Sequence, residues 1–352
     1  MPEKQFNTER IDLVPNYKIA LKLNNINEIY VHVQKAYELY SVGKFREAYG
    51  IIEPICKFIE LMSGVGDFLN NIGMQPCSRI FQLAGDICGE AEMIDLARKY
   101  YAIHQFSGFQ LKSDFENESK VRFFHFRNTK KYTLSNLLNN QFTLVDPRIQ
   151  NDIVDTPILT WVDCANGTNC LHSKHLSLYK ESFKGFHSAS FCMDSPHRRA
   201  IENTLMWAHY ANSHKGICVE YELESCDFRS TSLNPLLASR LYKVSYSDNN
   251  SHPLDFTNPE IALNFRNGFA YKSSCWEYEQ EMRLIAYTLD YSQRFVQYNI
   301  RTQDPIKAIY FGVKCTAQRR NKVKDTLKGR NIKFYQMKLN TRDIHRLIFE
   351  EC

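Results

Sequence analysis

The sequence predicts an α+β protein in which all-helical N-terminal hairpins precede a mixed α+β domain. Three observations lead to this. At 352 residues the chain exceeds the size at which a single hydrophobic core usually stops growing, so two domains are expected. A helical period of apolar residues occupies roughly the first 110 residues. From about residue 120 onward it gives way to strand-length segments rich in β-branched and aromatic side chains. The expected boundaries are 1–115 for the helical region and 120–352 for the α+β domain, with the polar stretch LKSDFENESK between them.

Composition narrows the class. Hydrophobic residues at 43% and charged residues at 24% are those of a folded globular chain, and no segment has the apolar run needed to cross a bilayer. The start, MPEKQFNTERIDLVP, is polar where a signal peptide would be apolar, so a cytoplasmic protein without membrane partners is expected. The eleven cysteines are odd in number and contain no CxxC, which favours reduced thiols. Cys164, Cys170, His172 and His175 are zinc-ligand types, but their spacing fits no standard pattern. They read as free side chains of a polar loop, and no metal is expected. A net charge of +5 is mild support for a nucleic-acid partner. The run from Gln318 to Lys333, with seven basic residues against one acid, either faces phosphate or forms a solvated helix face.

Within the helical region, Ile29 to Phe58 carries apolar residues at helical spacing on both sides of Gly43. The pattern Ala36, Tyr37, Leu39, Tyr40, Gly43, Phe45, Ala48 resembles a tetratricopeptide unit, in which small residues let two helices approach. Ala84, Gly85, Ala97 and Tyr101 form a looser echo at a longer interval. An ordinary small helical bundle is the alternative. Both readings assign the region to packing or to a protein partner rather than to chemistry.

In the second domain, VRFFHFR (Val121 to Arg127) reads as a strand, followed by a helix ending near Asn139 and Asn140. GFHSASFC, GICVEYEL, RLYKVSY, EMRLIAYTL, KAIYFG and IKFYQMKL read as further strands. SPHRRAIENTLMWAHYA has Ser195 as an N-cap and Pro196 at the first helical position. After Gly216, Ile217, Val219, Tyr221 and Leu223 alternate with polar residues, as in a half-buried strand. His209, Tyr210, His214 and Lys215 are thus crowded at a helix-to-strand corner. Such a corner either turns them into a cleft or satisfies them with backbone groups.

A second constellation, KSSCWEYEQEMRLIAY, spans Lys272 to Tyr287. As a strand it projects Glu279, Glu281 and Arg283 from one face, a row suited to a sugar hydroxyl, a developing positive charge and a phosphate. As a helix, Glu279 and Arg283 make an ordinary four-spaced ion pair.

Together these segments carry a resemblance. From about Phe123 to Lys338 the chain resembles the bacterial domain-of-unknown-function 2971 family, whose members share an MWAHYA…HKG segment and a K…WxYExExR segment. Both stand here, as Met206 to Gly216 and Lys272 to Arg283, with Trp276 inside the second. FFHFR stands where the family has its opening strand, and PIKAIYFG completes the match. PRIQNDIVD occupies the place of a PxxFNDPFD-like segment. It keeps Asn151, Asp152 and Asp155 but has Ile153 for proline and Val154 for phenylalanine.

The order of elements is also similar to that of ADP-ribosyltransferase-type folds. These place a His or Arg on an early strand, an aromatic residue over nicotinamide, and a catalytic Glu in a late ExE. The resemblance implies NAD as substrate and Glu281, Glu279 and Tyr210 as catalytic residues. It implies that His125, Arg127, His209, His214, Lys272 and Arg283 hold the dinucleotide, with Asn151, Asp152 and Trp276 as further cleft candidates. A bacterial effector transferring ADP-ribose to an unknown acceptor follows, its helical region recruiting a protein partner. A non-catalytic nucleotide- or nucleic-acid-binding module, or a carboxylate- or metal-dependent hydrolase, is the alternative.

Overall fold

The computed structural model describes residues 26–61, 74–108, 114–115, 117–149, 183–228, 230–233, 236–248, 269–288, 292–343 and 345–352. The chain divides into two compact units; among the described residues the helical one runs to Ser107 and the mixed one begins at Gly108. Among the described residues, no helix is long and apolar enough to cross a membrane.

The helical unit contains α1 (Ile26–Ser41), α2 (Phe45–Leu61), α3 (Met74–Glu90) and α4 (Ile94–Gly108). The turn between α1 and α2 passes through Gly43 at φ 79°, a conformation glycine adopts without steric cost. Ala36, Ala48, Ala84 and Ala97 are all fully buried, so the small residues sit where helices meet. Gly85 is needed for the same reason, since a Cβ there would lie 2.6 Å from the Tyr101 ring.

The mixed unit begins with β1 (Lys120–Arg127), α5 (Lys131–Leu138), β2 (Gln141–Val145) and β3 (Phe186–Cys192). The short helix α6 (Thr204–Tyr210) leads into β4 (Ile217–Glu224), β5 (Ser230–Leu233), β6 (Leu236–Lys243) and β7 (Ser245–Tyr246). Then follow β8 (Tyr271–Lys272), β9 (Glu281–Thr288), β10 (Phe295–Asn299) and β11 (Ile306–Phe311). The helix α7 (Ala317–Thr326) and the strands β12 (Lys333–Leu339) and β13 (Leu347–Glu351) complete it. The fold is α+β, as expected. Among the described residues, eleven strands form one sheet in the order β13-β12-β11-β4-β1-β3-β9-β6-β5, with β2 joined to β3 and β10.

Both sheet faces are covered. Phe123, Phe142, Phe191, Val219 and Leu284 share one core, while Phe124, Phe126, Met206, Trp207 and Tyr310 share another. This corrects the half-buried reading of β4, because Cys218 and Glu220 are buried as well as the apolar set. Glu220 tolerates burial because it accepts from Tyr310 Oη at 2.7 Å and pairs with Arg122 at 2.7 Å.

The helix at the corner is also shorter than expected. Ser195 lies in a turn bridged to Arg198, and the cap is Asn203, whose side chain accepts from Leu205 N at 3.1 Å. Asn203 competes well because its amide also donates to Tyr278 O at 2.9 Å. Beyond Tyr210, Asn212, Ser213 and His214 are all left-handed, with φ of 50°, 53° and 67°. Three such residues in succession are costly. They are held by His214 N donating to Trp207 O at 3.0 Å and Lys314 N donating to His214 O at 2.9 Å. Gly216 closes the corner, and a Cβ there would collide with the Arg127 and Ala211 carbonyl oxygens. Gly216→Ala should therefore lower the stability of this unit by about 3 kcal/mol, read as a shift of the denaturant midpoint. An unchanged midpoint would show that the corner is more compliant than its packing implies.

Candidate functional site

The sheet opens beside β3. On one side β3 pairs with β9 along its length, from Phe186 opposite Tyr287 to Cys192 opposite Glu281. On the other, among the described residues, β1 meets it only at Phe124 opposite Cys192, and β2 only at Val145 opposite Ser188. The strands splay, and a cleft of about 600 Å³ occupies the gap. Its lining includes His125, Arg127, Ser188, Ser190, His209 and Tyr210, together with Lys272, Trp276, Glu279 and Glu281.

Four buried charges form one wall of the cleft and the layer behind it. Lys272 Nζ lies 2.7 Å from Glu279 Oε2 and 3.2 Å from Glu281 Oε2. Arg283 donates to Glu281 through Nε at 3.0 Å and Nη2 at 2.9 Å, and its Nη1 donates to Phe269 O at 2.7 Å. Exposure is 7% or less for all four residues, so none is neutralised by bulk water. Tyr210 donates its hydroxyl to Glu279, and Lys272 Nζ stands 4.9 Å from the centre of the Trp276 ring.

Local structure explains why the carboxylates converge. Glu279 is not on the strand, which corrects the single-face reading of Glu279, Glu281 and Arg283. It ends a 3-10 turn, Ser274–Glu279, and Gln280 at φ 45° reverses the chain before β9 begins at Glu281. Asp248 holds the front of that turn, accepting from Ser274 N at 2.9 Å and Ser273 Oγ at 2.8 Å. Tyr246 Oη accepts from Glu281 N at 2.8 Å, fixing the strand's first residue. Lys272 comes from β8, which runs parallel to β7 with Lys272 opposite Tyr246.

Electrostatics separate the two carboxylates. Burial raises the Glu279 carboxyl above its usual range, an effect that Lys272 and Tyr210 oppose without overcoming. Burial also pushes Glu281 upward, but Arg283, Lys272 and the Ser190 hydroxyl outweigh it and hold that carboxylate below its usual range. Tyr210 is raised by burial and by Glu279, so it stays a hydrogen-bond donor. Burial and the neighbouring Arg127 lower His125, leaving a neutral imidazole at neutral pH. Arg127 makes no ion pair among the described residues. Its guanidinium stands 5.4 Å from the centre of the Tyr132 ring, at the lining of the cleft.

The structure thus brings together Tyr210, His125, Arg127, His209, Lys272, Trp276, Glu279 and Glu281 around one cleft. Arg283 lies behind Glu281 rather than on the cleft surface. His214 is not among the lining residues, and its backbone serves the corner instead. Asn151, Asp152, Cys164, Cys170, His172 and His175 lie outside the described residues. Ser188, Ser190, Tyr246 and Asn203 were not singled out from sequence. The alternation of small polar residues in FHSASFC was the one available sign for the serines, whereas nothing local marks Tyr246.

Residues 206–284 match a family described as protein of unknown function (DUF2971). The matched segment of this DUF2971 family runs from Met206 on α6 to Leu284 on β9, so Tyr210 and the whole four-charge cluster lie inside it. It agrees with the resemblance drawn from the MWAHYA and WEYEQEMR segments. No curated protein and no solved structure matches the chain.

The sign of the pH dependence follows from the shifts. The depressed native pKa of Glu281 gives a stability contribution that is present above the usual carboxylate range and lost as pH falls through the native value. Glu279, raised, runs the other way: its contribution is present below that range and lost as pH rises through its native value. The stability difference between wild type and Glu281→Gln, measured by denaturant unfolding, should be largest above about pH 5 and shrink toward about pH 3. A difference independent of pH would mean that Glu281 is not an ionised partner of Arg283.

Proposed function

We propose that the mixed unit cleaves the bond between nicotinamide and ribose in NAD and transfers ADP-ribose to an acceptor. The observation that carries this reading is the pair of differently tuned carboxylates, Glu279 and Glu281, in a splayed-sheet cleft that also holds Arg127, which makes no ion pair among the described residues. A cleft of about 600 Å³ is within the range of small-molecule sites. An anionic carboxylate beside ribose C1′ stabilises positive charge as the C–N bond breaks and its electron pair leaves with nicotinamide. Glu281, held ionised, supplies that charge. Tyr210 and Trp276 offer aromatic faces for the ring, and Arg127 suits the pyrophosphate. The acceptor attacks C1′ and gives up a proton to Glu279, whose raised pKa suits a general base.

A second reading, nucleotide binding without turnover, draws on one feature. Glu281 already receives hydrogen bonds from Arg283 and a contact from Lys272, so much of its charge is neutralised before any ligand arrives.

Nicotinamide release from NAD by the purified full chain separates the two. Turnover that falls at least about 100-fold in Glu281→Gln while NAD affinity is retained supports cleavage, and a mass increase of one ADP-ribose on a target identifies transfer. NAD binding without release, in the presence or absence of cell extract, would establish the binding module instead.

A further inference from the structure

The basic run near the C-terminus plays no part in the cleft chemistry. Between Gln318 and Lys333 it carries seven basic residues against one acid. Among the described residues none of the seven pairs with an Asp or Glu side chain, although Lys324 Nζ donates to Cys352 O at 2.9 Å. Elsewhere on the mixed unit some surface cations are paired: Lys120 with Glu222 at 3.3 Å, Arg122 with Glu220 at 2.7 Å, and Lys338 with Glu350 at 2.5 Å. A face kept only for solubility would show interspersed signs and local pairs. This one concentrates a single sign on a chain of net charge +5.

The surface is continuous with the lip of the cleft. Arg330 Nη1 donates to Leu137 O at 3.1 Å and Asn140 Oδ1 at 2.7 Å, fastening the segment after α7 to the end of α5. Val323 and Leu327 share a core with Leu134 and Leu137, so the two helices pack through their apolar sides. The other end of α5, about 12 Å away, carries the exposed Lys130 and Lys131. Next to them Tyr132, 48% exposed, lines the cleft beside Arg127. Basic residues thus lie at both ends of α5, with Arg330 at one end and Lys130 and Lys131 at the other beside an aromatic ring and a guanidinium at the opening.

We propose that the α5–α7 surface docks a nucleic-acid strand, its phosphates on the basic face and a base against Tyr132 at the cleft mouth. Phosphates match clustered cations that no Asp or Glu side chain among the described residues neutralises, and an exposed aromatic ring beside an arginine is a stacking platform for any base. Recognition is of backbone charge rather than sequence. That the docked strand is also the ADP-ribose acceptor rests on the NAD-cleavage reading; the docking itself does not.

The test is fluorescence anisotropy of the full chain with a labelled single-stranded DNA or RNA of about 20 nucleotides, titrated between about 50 and 200 mM salt. Binding should weaken at least tenfold over that range. The triple variant Lys322→Ala, Lys328→Ala, Lys333→Ala removes exposed side chains and should bind at least about tenfold more weakly at the lower salt. Its salt slope should fall by about 2, at roughly 0.7 per lost phosphate contact. Absence of binding at the lower salt, equal binding by the variant, or binding only to vesicles containing phosphatidylserine would each overturn the proposal. Nicotinamide release without nucleic acid reports on the cleft alone and should be unchanged in the variant. Oligonucleotide binding without NAD cleavage would sustain the docking surface and remove the acceptor role; cleavage without oligonucleotide binding would overturn the docking surface and the acceptor role with it, leaving the cleavage reading standing.

Discussion

Lys272, reaching from a two-residue strand to two buried glutamates, is the contact on which the arrangement of the cleft depends. Two carboxylates brought together out of water repel each other and lose hydration, so one would take up a proton unless a cation intervened. Arg283 compensates Glu281, but from behind. Lys272 touches both, and its ammonium also faces the Trp276 ring. The alternation of two negative and two positive groups makes the cluster neutral as a whole while leaving each charge locally strong.

That cluster demands support from distant parts of the chain, and the fold supplies it. Tyr246 fixes the first residue of β9, Asp248 fixes the turn that presents Glu279, and Asn203 ties the start of α6 to the same turn. The left-handed run from Asn212 to His214 then anchors the end of α6, where Tyr210 meets Glu279. Strain at this corner is offset by backbone hydrogen bonds to Trp207 and Lys314. The crowding of His209, Tyr210, His214 and Lys215 thus has two causes. His209 and Tyr210 face the cleft, whereas His214 belongs to the clamp that holds them there.

Much of this was legible in the sequence where local pattern and chemistry coincide. The strands Phe186–Cys192, Ile217–Glu224, Glu281–Thr288 and Ile306–Phe311 follow from β-branched and aromatic runs, and Glu279, Glu281 and Lys272 from an unusual density of charge beside a tryptophan. Where tertiary contacts decide, the sequence was silent or misleading. Pro196 and Ser195 make a plausible helix start, yet Asn203 wins because it caps the helix and binds Tyr278 at once. The strands Phe295–Asn299 and Leu347–Glu351, of 5 residues each, are too short for their pattern to distinguish them from loops. The splay between β1 and β3 is a property of pairing, which no single segment encodes.

The functional reading stands on the cluster being ionised and mutually dependent, with Glu281 anionic because Arg283 and Lys272 are present. A double-mutant cycle on Lys272→Met and Glu279→Gln, read by equilibrium unfolding at neutral pH, tests this most directly. Lys272→Met alone should cost about 3–5 kcal/mol, since it leaves buried carboxylates uncompensated. Adding Glu279→Gln should restore at least about 1 kcal/mol of that loss, because a neutral amide no longer needs the ammonium. Strictly additive losses, or a Lys272→Met protein as stable as wild type, would contradict the account: Lys272 would then not be what holds the two carboxylates together.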